Sequence, residues 1–336
     1  MRLLWSLALI LTLPAMECVQ ALPEKNYDSE WEKTILPFLD SGERFTFRSA
    51  DGVTELQGIR FVHPNAKGTI VVVNGSTESW LKYGEFFYDL YKKGFSIFSY
   101  DHRGQGLSPH LVKSNPQIDQ IDDFSLYAAD LNAFVREVIL PTHPNNLCLI
   151  AHSMGGGVAT DYLQRYQSPF RAVILSAPMI RINTAPFPEP IASFVMKLLH
   201  MSGLGAGYAP GKSDHNPYES FEANSVTSSR ARWSANNEVW KNHPEAVLGG
   251  PSIDWVNQAL DKTTRIRSHK GAITSPILIL QAGKDAFVIN PSRDELHKMF
   301  TNARIIDFPD SKHEILMERD GIRNKAMGEV ECFFTN

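Results

Sequence analysis

Ser153 stands in Ala151-His152-Ser153-Met154-Gly155-Gly156-Gly157, directly after the apolar run Leu147-Cys148-Leu149-Ile150. A serine flanked by small residues, entered from a strand and left into a helix, is the setting of a nucleophile. The turn is so tight that large side chains at 151 and 155 would collide. It strains the serine backbone and presents Oγ at the open end of the sheet. The helix N-terminus behind it favours developing negative charge. A chance serine in a Gly-rich turn has the same pentapeptide, and only the flanking strand and helix separate the two readings. His152 adjoins Ser153, but neighbours on such a turn point apart, so it reads as structural.

A serine hydroxyl needs a base to remove its proton, and the base needs a carboxylate to orient it. The apolar run at 276–280 leads into Gln281-Ala282-Gly283-Lys284-Asp285, and Ile305-Ile306-Asp307-Phe308 leads into Pro309-Asp310-Ser311-Lys312-His313. This chain order, Ser then Asp then His, predicts Asp285 and His313 on neighbouring loops at the edge that carries Ser153. The chain has 11 histidines, and the position after the last strand singles out His313. Asp310 and Glu314 are rival acids, but they are too near His313 along the chain to face its Nδ1 easily. Val71-Val72-Val73 ends in Asn74-Gly75-Ser76, where a loop can approach the nucleophile. The predicted oxyanion donors are the main-chain N–H groups of Ser76 and Met154.

Positioning these groups requires a sheet. Residues 44–62 hold two alternating stretches about the turn signal Asp51-Gly52, which predicts a hairpin. β-branched and apolar runs at 69–73, 95–100, 147–151, 172–175, 276–280 and 305–308 predict buried parallel strands. Helical stretches are expected at 80–93, 124–140, 155–166, near 255, at 294–300 and from 314 onward. The fold class is therefore α/β, a mostly parallel doubly wound sheet after an antiparallel start. Alternation stops from about 179 to 250, a stretch rich in Pro, Gly, Ser and Asn with one apolar helical run at 191–201. It reads as an inserted cap, since a structureless loop of that length is unusual in a compact domain. The divisions are an export segment at 1–21, core at 22–178, cap at 179–252 and core again at 253–336.

The 336 residues are 43% hydrophobic with net charge −4, an ordinary globular composition with no basic excess for nucleic acid. Arg2 followed by an apolar run too short to span a membrane resembles a secretory signal, with cleavage expected after Ala21. The protein is then exported, periplasmic or secreted; an uncleaved anchor is the alternative. Glu17 before Cys18 does not resemble a lipoprotein signal. Cleavage leaves Cys148, which reads as core, and Cys332; pairing between them is left open. The sequon Asn74-Gly75-Ser76 falls in the predicted oxyanion loop, where a glycan would block the site. Residues 206–213 fit a relaxed phosphate-loop pattern, but no buried strand precedes them. His313-Glu314 begins like a zinc-protease motif, but residue 317 is Met. No metal or cofactor is expected.

The chain resembles the lysophospholipase and monoacylglycerol lipase family of α/β-hydrolases. The resemblance rests on Asn74-Gly75-Ser76, Asp101-His102-Arg103-Gly104-Gln105-Gly106-Leu107-Ser108, His152-Ser153-Met154-Gly155-Gly156, Ala282-Gly283-Lys284-Asp285 and His313-Glu314-Ile315-Leu316. Thr227-Ser228 and Gly249-Gly250-Pro251 resemble its bacterial lysophospholipase branch. Asn74 replaces the family's usual His, and Ala151 its usual Gly. The 101–108 stretch reads as a turn holding the oxyanion loop, with Arg103 touching substrate as the sharper reading.

The resemblance implies a carboxylic-ester hydrolase acting on a lipid with one acyl chain. Ile191, Phe194, Val195, Leu198 and Leu199 fall at helical spacing and could line an acyl channel or simply pack the cap on the core. The expected partners are a small lipid ester and, through the cap, a membrane surface in transient contact. Two other readings remain: an exopeptidase using Glu219, Glu222 or Asp214 to hold a substrate amine, and a non-catalytic binder on the same scaffold.

Overall fold

The computed structural model describes residues 22–216 and 218–335. The expected export segment lies outside them. Two short helices, α1 (Tyr27–Glu30) and α2 (Leu36–Asp40), precede a hairpin of β1 (Glu43–Arg48) and β2 (Glu55–Phe61). Asp51 closes its turn, accepting from the Val53 and Thr54 N–H groups beside Gly52 at φ +71°. Then come β3 (Gly68–Val73), α3 (Gly84–Lys92), β4 (Phe95–Tyr100), α4 (Ser125–Phe134), β5 (Leu147–His152), α5 (Met154–Arg165) and β6 (Ala172–Ser176). Three helices follow before the next strand: α6 (Glu189–Leu199), α7 (Arg230–Asn242) and α8 (Ile253–Ser268). The chain closes with β7 (Ile277–Ala282), α9 (Arg293–Met299), β8 (Ala303–Phe308) and α10 (Asp320–Thr335).

The strands form one sheet in the order β1-β2-β4-β3-β5-β6-β7-β8, antiparallel at β1-β2 and β2-β4 and parallel elsewhere. Side chains alternate across it. Val71, Val73, Leu149 and Ala151 enter the core on one face, while Ile70, Val72, Cys148 and Ile150 enter the core on the other. Covering both faces is what makes these strands continuously apolar. Cys148 is a buried thiol within β5. Val73 pairs with Ala151, Ser176 with Leu280 and Ala282 with Phe308. The register brings the loops after β3, β5, β7 and β8 to one edge.

Between β6 and β7 the chain does two different things. One side of α6 (Ala192, Met196, Leu199) packs on Ile253, Val256 and Leu260 of α8. By contrast, α7 is bolted to the core. The buried Arg232 guanidinium makes two hydrogen bonds to Glu85 of α3, at 2.8 and 3.0 Å, and a third to the Glu318 carbonyl at 2.9 Å. Such a buried pair costs desolvation, but losing one partner would strand a charge and cost several kcal/mol. The last helix also differs from expectation. Residues 314–317 are not part of it, because Glu314 turns inward to Lys82 while Ile315 and Leu316 bury themselves; α10 starts at Asp320.

Candidate active site

Ser153 takes φ +52° and ψ −120°, a backbone region that L-residues avoid. Main-chain bonds hold it there: its N–H donates to the Ser176 carbonyl at 3.0 Å, and its own carbonyl accepts from Met179 at 2.8 Å. Gly155 permits the turn, since a Cβ there would overlap the carbonyl oxygens of Val73 and Asn74. Met154 opens α5, so its N–H belongs to the first helical turn, which helix hydrogen bonding leaves without an internal acceptor.

The Ser153 hydroxyl donates to His313 Nε2 at 2.8 Å, and His313 Nδ1–H donates to Asp285 Oδ2 at 2.6 Å. The other Asp285 oxygen accepts from the Phe287 and Val288 N–H groups at 2.8 and 3.0 Å. Burial alone would raise the Asp285 pKa. The His313 bond and these N–H donors outweigh burial and hold the carboxyl below its ordinary range. It is therefore ionised where His313 must carry a proton. The rival acids are engaged elsewhere: Asp310 pairs with Lys284 and Glu314 with Lys82.

Beneath His313 lies His152, with ring centroids 4.8 Å apart. Its Nδ1–H donates to the Ser176 carbonyl at 3.2 Å, and Nε2 faces Glu78 at 3.9 Å. Burial pushes its pKa down to about 4, and the charges of His313 and Lys82 push the same way against Glu78. A neutral His152 places no positive charge beside His313. Glu78 itself bonds Lys82 and Tyr83, a buried group that no motif announced.

Across from the base lies the loop after β3. Asn74 is fully buried. Its amide donates to Asp101 at 3.0 Å and its Oδ1 accepts from Ser99 at 3.2 Å, so it cannot carry a glycan in the folded chain. Asp101 also accepts from Ser79, Trp80 and Leu107, tying the 101–108 turn to this loop. Arg103 is turned inward, with Nε and Nη2 on Asp130 at 2.6 and 2.7 Å. Within the loop, the Gly75 N–H donates to Glu78 at 2.7 Å and the Thr77 N–H to Gln105 at 3.0 Å. Ser76 sits between these two anchored neighbours.

Ile191, Phe194, Val195 and Leu198 are not brought to the triad's hydrogen-bond chain. They stand on the outward side of α6, exposed by 50, 67, 39 and 57%. The spacing i, i+3, i+4, i+7 puts them on one face, and the opposite face does the packing. Two of the three acidic residues that an amine site would use are committed elsewhere. Glu222 pairs with Arg230, while Asp214 accepts from Asn115 and Tyr208. Among the described residues, no group of three or more His, Cys, Asp or Glu could hold a metal ion, and no helix is long and apolar enough to cross a membrane.

Residues 64–320 match the model of the serine aminopeptidase S33 family of hydrolases. The chain belongs to that family. It is 33% identical over 79% of its length to a probable lysophospholipase L2 of Haemophilus influenzae, covering 82% of that protein. It is 31% identical over 90% of its length to the lysophospholipase L2 of Escherichia coli K12, covering 91%. A soluble variant of Saccharomyces cerevisiae monoglyceride lipase, solved with a substrate analogue, superposes with a TM-score of 0.65 at 16% identity, over 88% of this chain and 96% of that one. The fold is the α/β-hydrolase fold, and the protein is a serine ester hydrolase of the esterase and lipase type.

Proposed function

We propose that this serine hydrolase cleaves the ester of a lipid bearing one acyl chain, a lysophospholipid or a monoacylglycerol. The observation that carries the mechanism is the unbroken chain of hydrogen bonds from Ser153 through His313 to Asp285. Ser153 Oγ attacks the ester carbonyl while His313 Nε2 takes its proton. Asp285 stabilises the resulting imidazolium and fixes the tautomer. The N–H groups of Ser76 and Met154 receive the oxyanion, each contributing several kcal/mol to the transition state. Collapse expels the alcohol, which takes the proton from His313. Water then attacks the acyl-enzyme, with His313 again as base, and frees the fatty acid.

Similarity to the two lysophospholipases supports the lipid substrate. The outward apolar face of α6 supports a further reading: residues 179–252 form a cap whose exposed side, Ile191, Phe194, Val195 and Leu198, makes transient contact with a lipid surface. Lipids with one chain partition between water and such surfaces, so apolar contact would raise their local supply. Residues 1–21 direct export, with cleavage after Ala21, and the mature enzyme works in the periplasm or outside the cell. Intact-mass measurement of the exported protein checks that cleavage.

A series of p-nitrophenyl esters tests the esterase mechanism. The expected result is turnover that favours medium and long acyl chains and disappears in Ser153→Ala. Turnover of aminoacyl amides with no ester activity would contradict the proposal.

A further inference from the structure

Asp119 is a fully buried carboxylate outside the triad, and among the described residues no cation is paired with it. It accepts from the Ser76 hydroxyl at 2.7 Å and from the Gln105 amide nitrogen at 3.1 and 3.3 Å. Holding the Gln105 NH₂ in this way turns Gln105 Oε1 to the Thr77 N–H, 3.0 Å away. Thr77 needs that anchor. It is a β-branched residue at φ +58°, in the left-handed region. The same Gln105 nitrogen lies 3.7 Å from the sulfur of Met154, so one amide touches residues on both sides of the oxyanion position.

We propose that Asp119 is a positioning residue for ester hydrolysis: by fixing the amide orientation of Gln105 and the hydroxyl of Ser76, it aims the Ser76 main-chain N–H at the oxyanion. This rests on the oxyanion role proposed above for Ser76. Asp119 also belongs to a backbone crossing. Its N–H donates to the Gly250 carbonyl at 3.2 Å, and its own carbonyl accepts from Ser252 at 2.8 Å. The carboxylate is therefore fixed by the chain that leads into α8, and the oxyanion loop takes its register from it.

Hydrogen-bond polarity is the telling feature. Burial pushes the Asp119 pKa up to about 7 against the bonds from Ser76 and Gln105. Ionised, the carboxylate accepts from a hydroxyl and an amide NH₂ together; protonated, it turns its O–H to Ser76 and still presents an acceptor oxygen to Gln105. A side-chain amide at 119 must point its own NH₂ at one of them; facing Ser76, it makes the Ser76 hydroxyl an acceptor and turns that hydroxyl's hydrogen away into the loop. If it faces Gln105, Gln105 has to flip, and the Thr77 N–H then meets an NH₂ instead of an oxygen. Filling space at 119 does not need a carboxyl; setting the polarity of this relay does.

The polarity can be reversed on purpose. In Asp119→Asn combined with Gln105→Glu, the new amide at 119 accepts from Ser76 and donates to the new carboxylate at 105. That carboxylate can still accept from Thr77. For Asp119→Asn alone, kcat on a p-nitrophenyl ester is expected to fall about 10- to 100-fold, less than the loss of a whole oxyanion donor, with KM changed less than about twofold. Affinity for a trifluoromethyl ketone, which forms an oxyanion on Ser153, should fall in proportion. The double variant should regain most of the loss in both. The proposal is overturned if Asp119→Asn keeps kcat within about twofold of wild type, or if the double variant folds and stays as impaired as the single one. If the single variant does not fold, the double variant decides alone: folded and active supports the proposal, folded and inactive overturns it. Wild-type protein that hydrolyses no ester would instead overturn the function on which the proposal rests.

Discussion

The strand-end loops and helix α6 treat their side chains in opposite ways. At the strand ends, polar groups are buried and the ones at the site are paired: Asp285 with His313, Asn74 with Asp101, Asp119 with Gln105. On the outward side of α6, by contrast, Ile191, Phe194, Val195 and Leu198 face solvent, with Phe194 and Leu198 more than half exposed. A buried polar group without a partner costs free energy, so these pairings restrict the geometry of the first region. An exposed apolar face costs little on the folded chain but gains by meeting another apolar surface. On the proposed reading, chemistry belongs to the buried region and encounter with a lipid to the exposed one. The two can therefore be damaged separately.

The largest separate effect is expected in the loops. Asp285→Asn keeps the size of the side chain but presents an NH₂ to His313 and favours the wrong tautomer. Its kcat on a soluble short-chain ester should fall on the order of 10⁴-fold at neutral pH, with vesicle binding unchanged. Loss of vesicle binding alongside activity would show that the two regions are coupled. A smaller effect, roughly 3- to 10-fold, is expected from Phe194→Asp with Leu198→Asp, and only on long-chain substrate presented in micelles or vesicles. Equal losses on a soluble butyrate ester would erase the distinction and place α6 in the reaction itself.

A separate effect, on stability rather than on rate, concerns the buried region. His152 has a folded pKa of about 4 because burial disfavours its charge. Between that value and the unfolded value of about 6.5, the unfolded chain binds more protons at this residue than the folded chain. Its contribution to stability is thus full above pH 6.5 and declines as pH falls toward 4. Relative to His152→Gln, wild type should lose ~3 kcal/mol of unfolding free energy across that range, read from urea titrations at several pH values. Parallel pH curves for the two proteins would mean that His152 carries a proton in the folded state.

The strand-end arrangement of Ser153, Asp285 and His313 was readable in the sequence because each piece is announced locally. An apolar run precedes Ser153, Asp285 and His313 alike, and short loops after parallel strands must share an edge. What escaped was set by contacts between distant residues. Asp119 meets Ser76 across 43 positions from a loop without periodicity. Helix α7 hid because its inward side includes Arg232, which reads as surface until Glu85 appears opposite it. The spacing of Ile191, Phe194, Val195 and Leu198 did identify a helix face, but Leu199, read with them, packs on the opposite side. Spacing alone could not say which way that face points, since Ala192, Met196 and Leu199 make an equally apolar side.

The central claim is that Ser153 attacks the ester of a lipid with one acyl chain. Fatty-acid release from lysophosphatidylcholine and from monoacylglycerol, by the mature protein and by Ser153→Ala, tests it most directly. The account predicts release from at least one of the two by wild type, and none above background by the folded variant. Release that survives Ser153→Ala, or wild type that frees acid from neither lipid, would contradict it.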